Sequence, residues 1–131
     1  MPFPVASLEI EKTEAKTGFM FPPVFKTCLA ASNGGDLVVA DDDWVLFPFL
    51  DGSDRKRLAR SCNDIVSETN RMREWRGFPP EGFAIASNGC GDCLLLLPEK
   101  EGSKQLGETI FRFDHETGEM GPVAVNVDEC Q

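Results

Sequence analysis

Four consecutive leucines, Leu94 to Leu97, set the tightest limit on how this chain folds. They extend an apolar run from Cys93, and Asn88-Gly89-Cys90-Gly91 precedes them as a turn. A strand with one face in water alternates apolar and polar residues, whereas an unbroken apolar run needs cover on both faces. The spacing predicts a central strand over Asp92 to Leu97. The run is also much shorter than the roughly 20 residues that cross a bilayer.

Strand patterns surround this run. Phe83 to Ser87 precedes the turn, and a polar loop from Pro98 to Gly107 follows the leucines. Thr109, Phe111 and Phe113 then alternate with Ile110 and Arg112 in a strand over Glu108 to Phe113. Asp114-His115-Glu116-Thr117-Gly118 reads as another turn before a strand over Pro122 to Val127. Earlier, Leu37 to Ala40 and Trp44 to Phe49 are β-like by residue type, and Asp41-Asp42-Asp43 joins them as a hairpin turn.

Helical patterns fill the rest. Ser7 to Lys16 has an N-cap candidate in Ser7, acids near its start in Glu9 and Glu11, and a stop at Gly18. Leu8, Ile10 and Ala15 give it only a thin apolar stripe. Pro23 suits the first turn of a short helix whose Val24, Phe25, Cys28 and Leu29 share one face, closed by Asn33-Gly34-Gly35. A long helix is expected over Asp54 to Arg76, with Leu58, Cys62, Ile65, Val66, Thr69 and Met72 recurring every three or four residues. The order is then α, α, β, β, α and four more β. Late strands joined by short turns imply an antiparallel meander. The expected fold class is α+β: one domain over residues 1–131, with a core at about 8–127 and helices packed on one side of a sheet of about six strands.

Charge narrows the functions. The 131 residues include 22 Asp and Glu against 13 Lys and Arg, a net −9. Phosphate backbones and anionic lipid repel such a chain, so no nucleic acid and no membrane is expected among its partners. A basic protein partner fits better. Seven of the 13 basic residues lie between Arg55 and Arg76, giving one positive helix on an acidic body. Ten Phe and no Tyr point to a dry core without a phenol for acid–base work. The start lacks a basic and apolar leader, which implies a cytoplasmic address. Five cysteines are an odd number, and they read as reduced thiols packed as small apolar groups.

The candidate chemistry is sparse. Cys90-Gly91-Asp92-Cys93 is a CxxC, which serves redox chemistry at a helix N-terminus or supplies half a zinc site. Here it enters a strand, and no second pair accompanies it. A turn with two small thiols is the simpler reading. His115, between Asp114 and Glu116, lacks a nucleophile motif and reads as a turn residue. Asp41, Asp42 and Asp43 lack the spacing of a calcium loop. Trp44 beside them reads either as an interface anchor or as a core residue. No phosphate-binding glycine motif occurs. These residues imply no catalytic, cofactor or metal site.

Several motifs together resemble a known family. They are Phe21-Pro22, Asn33-Gly34-Gly35, Phe83-Ala84-Ile85-Ala86, Asn88-Gly89-Cys90-Gly91-Asp92 and Ile110-Phe111-Arg112-Phe113-Asp114-His115-Glu116. In this order the chain is similar to the SMI1/KNR4 family of the SUKH superfamily, over about Leu8 to Val127. The resemblance implies a non-enzymatic binder. Many bacterial members are immunity proteins that neutralise a cognate toxin, often a nuclease, from polymorphic or contact-dependent systems; fungal members act in regulation. The first expectation is therefore an immunity-type protein that binds a basic toxin domain through Asp41, Asp42, Asp43 and Trp44, with Asp92 and Asp114 as further contacts. The alternatives are a regulatory scaffold without a toxin and, more remotely, a thiol redox or metal-binding protein using Cys90 and Cys93.

Overall fold

A computed structural model describes residues 4–39, 42–88 and 91–125. Helix α1 spans Ser7–Thr17 and ends at Gly18, as its sequence suggests. Its N-cap, however, is Ala6, without a side-chain cap, so Ser7 is a helical residue and not the cap. Nor does the helix dock by a wide apolar stripe. Leu8 is exposed, while Glu9, Ile10, Thr13 and Glu14 are buried. Buried carboxylates are tolerated only when bonded and charge-paired. The Phe21 N–H donates to Glu14 Oε2 at 2.8 Å, and Lys26 pairs with the same oxygen at 3.2 Å. Glu9 accepts from the Gly52 N–H at 3.0 Å and pairs with Lys12 at 3.0 Å. Two acids thus fasten α1 to distant backbone, which no periodicity could announce.

Helix α2 spans Pro23–Ala31 with proline in its first turn. It buries Phe25, Cys28 and Leu29, and Phe25 joins Phe21 and Phe49 with ring centroids 5.2–5.8 Å apart. Contacts of this kind add about 0.5–1.5 kcal/mol each beyond the area they bury. Cys28 is half of a disulfide whose other cysteine lies outside the described residues. The expectation of uniformly reduced thiols is corrected there, because an odd count still leaves room for one pair. Cys62 and Cys93 are free.

Six antiparallel strands follow the chain in order: β1 (Gly35–Val39), β2 (Asp42–Leu46), β3 (Phe83–Ser87), β4 (Cys93–Pro98), β5 (Leu106–Phe113) and β6 (Met120–Val125). The sheet is the expected meander, and the fold is α+β. One alignment runs across it from Val45 through Ser87, Cys93 and Phe113 to Met120, so these residues share a face. Leu46, Ala86, Leu94, Arg112 and Gly121 share the other. Phe83, opposite Leu96, meets Phe19 and Phe21 from the α1–α2 connection. Trp75 and Phe78 pack on Phe113 from the opposite side. Cover on both faces is the physical reason for the leucine run, and Leu94, Leu95 and Leu96 are all buried.

The long helix expected over 54–76 is instead two helices, α3 (Arg55–Arg60) and α4 (Ile65–Met72). Asp54 caps the first, accepting from the Arg57 N–H. Asp64 caps the second, accepting from the Ser67 N–H and hydroxyl. Between them Ser61 accepts from the Asp51 N–H at 2.9 Å, and the Ile65 N–H donates to Pro48 O at 2.9 Å. The break is therefore held by the loop after β2. It also changes the buried face: Leu58 and Cys62, expected in the apolar stripe, are exposed, whereas Ile65, Thr69 and Met72 are buried. The Thr69 hydroxyl accepts from the Ala84 N–H at 2.8 Å, where β2 has left β3.

Candidate functional site

Two places collect the residues singled out by sequence. One is the β1–β2 hairpin. Its register pairs Asp36 with Val45, Leu37 with Trp44, Val38 with Asp43 and Val39 with Asp42. Strand alternation sends these residues to two faces. Leu37, Val39 and Trp44 are buried, whereas Asp36, Val38, Asp43 and Val45 are exposed. Trp44 is 2% exposed and its indole N–H donates to Val39 O at 3.4 Å. Of the two readings left open for Trp44, the core residue is the one the structure adopts. The ring is no surface anchor, and Asp43 beside it points away from it. Asp41 lies outside the described residues, and Asp42 contributes its backbone to the ladder.

The second place is the sheet end where the β3–β4 and β5–β6 connections meet. Arg112 bonds Asp92 there, Nη2 to Oδ2, at 2.6 Å, and its guanidinium lies 5.4 Å from the centre of the Trp44 ring. His115 Nδ1 is 3.8 Å from Asp92 Oδ1, and the imidazole lies 5.6 Å from the Trp75 ring. Gly91 has φ of +100°, and a Cβ there would come within 2.2 Å of the His115 ring. Only glycine fits both demands. Asp114 folds its own turn, accepting from the Glu116 N–H at 2.9 Å, while its N–H donates to Glu119 O at 2.9 Å. The motif residues Asp92, Asp114, His115 and Glu116 therefore do come together, and they knit two connections into one unit. Asn88 adds an N–H bond to Asp92 O at 3.4 Å. Gly89 and Cys90 lie outside the described residues.

The other motif turn has a similar task. The Asn33 amide donates to Phe49 O and accepts from the Phe49 N–H, both at 2.8 Å. This reciprocal pair ties the end of α2 to the chain leaving β2. Gly34, at φ of +98°, and Gly35 carry the chain from that point into β1.

The cluster's chemistry is limited. Ligand atoms of Asp92, Asp114 and His115 lie within 4.8 Å of one another, a spacing open to a cation. Yet Asp92 already faces the Arg112 cation, and Asp114 accepts from its own turn. These are the acceptors of a structural knot. Cys93 is fully buried, and burial, helped by the Asp92 charge, pushes its thiol up to about 12. A neutral, enclosed thiol is a poor nucleophile and a poor metal ligand. Asp54, by contrast, sits below the ordinary carboxylate range because the Arg57 N–H and guanidinium bond it.

Sequence reasoning underweighted Arg112 and Trp75, which tie these turns to the sheet. It also passed over Asp36, Val38 and Val45, because only strand register tells which alternate positions face solvent. No helix among the described residues is long and apolar enough to cross a membrane. The chain has no match among curated proteins. A family model does match it: that of the SMI1/KNR4 family (SUKH-1), over residues 4–130. That span takes in every motif turn found here at the sheet ends, and the chain belongs to this family.

Proposed function

We propose that this protein is a non-enzymatic, cytoplasmic immunity-type binder that neutralises a basic toxin domain by direct contact. Family membership over residues 4–130 is the observation that carries the reading. The charge agrees with it, since a net −9 chain associates quickly with a basic partner and competes for the surface that the partner would turn to nucleic acid. The Cys93 thiol is buried, and the carboxylate nearest the His115 ring is held by Arg112.

The test is co-expression with the toxin domain encoded beside the gene, read as growth, followed by titration of the purified toxin's activity. Restored growth and stoichiometric loss of toxin activity are expected. A neighbouring toxin that stays fully active in excess of this protein, with no complex on size-exclusion chromatography, would sink the reading. So would a gene neighbourhood without any toxin domain, if the protein also protects against none of a panel of basic nuclease domains.

A further inference from the structure

The outer face of the β1–β2 hairpin combines exposed valines with exposed carboxylates. Val38 and Val45 are 48% and 52% exposed, on the two strands of one ladder. Asp36 stands opposite Val45 and Asp43 opposite Val38, so the four side chains form a two-by-two chequerboard with acids on one diagonal and valines on the other. Directly opposed side chains in such a ladder lie about 5 Å apart and diagonal ones about 7–8 Å. Among the described residues, no cation pairs with either Asp36 or Asp43. The buried carboxylates Glu9, Glu14 and Asp51 and the half-buried Asp92 have such partners, and the buried Asp64 is bonded to Ser67.

From this pattern we infer that the hairpin face is a docking surface for a cationic protein segment that presents Lys or Arg together with aliphatic side chains on one face. The inference rests on the proposed function for the partner's class and adds where and how that partner binds. Both kinds of side chain must lie on the face laid down, because an extended chain sends neighbouring residues to opposite faces while the chequerboard offers acid and valine side by side. The two roles differ. Exposed carboxylates attract over a Debye length and act mainly on the association rate. The valines lose water only on contact and so act mainly on dissociation. An acidic segment meets two uncompensated carboxylates here and is rejected.

The test uses the full chain, labelled with ¹⁵N, and two capped eight-residue peptides, one repeating Lys-Lys-Val-Val and one repeating Glu-Glu-Val-Val, so that each face of the extended peptide carries charge and valine in turn. Saturable amide shifts centred on residues 36–39 and 43–46 are expected with the Lys peptide and none with the Glu peptide. Asp36→Lys with Asp43→Lys should weaken the Lys peptide about tenfold and flatten its salt dependence. Val38→Ser with Val45→Ser should weaken it about fivefold and leave the salt dependence intact. Shifts centred elsewhere, no saturation, or equal binding of the Glu peptide would overturn the proposal. The unmodified chain decides these outcomes, so a misfolded variant does not obscure them. Binding of the Lys peptide at the hairpin without protection from any toxin would discard the immunity reading and keep this surface. Toxin protection with no hairpin shifts would do the reverse.

Discussion

The two acidic regions of this molecule spend their charge differently. At the sheet end, Asp92 is bonded to Arg112 and Asp114 accepts from the backbone of its own turn. On the hairpin, Asp36 and Asp43 face water beside two exposed valines. The first region carries the residues through which the sequence resembles the family, and Asp92 and Asp114 both have partners there inside the chain. The four residues of the second lie outside those motifs, and among the described residues no cation pairs with its acids. The sheet-end residues thus close the fold, while the hairpin face holds charge and apolar surface left uncompensated among the described residues, which is where binding is proposed.

Gly91→Ala should break this contrast most severely. The new methyl would meet the His115 ring and hold the backbone in a region hostile to side chains. A loss of about 3 kcal/mol in urea unfolding is expected. An unchanged midpoint would show that the sheet end is not a structural knot. Asn33→Ala comes next, since it leaves the Phe49 N–H and carbonyl without their amide partner. The cost should be about 2 kcal/mol by the same measurement. Replacing Asp36 and Asp43 together by Asn should move stability least, within about 0.5 kcal/mol. Among the described residues their carboxylates have no ion pair to lose. A marked destabilisation would place them among the structural acids with Asp92 and dissolve the distinction.

Much of the architecture was legible in the sequence because it depends on local grammar. Pro23, Gly18 and the Asn33-Gly34-Gly35 stop frame the first two helices as expected. Five apolar residues from Cys93 to Leu97 announced a strand covered on both faces. The break between α3 and α4 was less legible, although Asp64 with Ser67 three residues later is a capping signal. It lay within an unbroken helical period, and what made it effective was the distant backbone of Pro48 and Asp51. Trp44 could not be placed without knowing its register.

By itself, the sequence determined the order of elements apart from the break between α3 and α4, the antiparallel meander, the acidic balance and the motif turns. Each follows from neighbours within a few residues or from composition. Tertiary structure alone decided that Glu9 and Glu14 are anchors and not solvated charge, that Arg112 joins Asp92 to Trp44, and that Asp36, Val38, Asp43 and Val45 share one open face. A side chain's partner is fixed by chain segments far away in sequence. An acid that is spent therefore looks, in sequence, the same as an acid that is free.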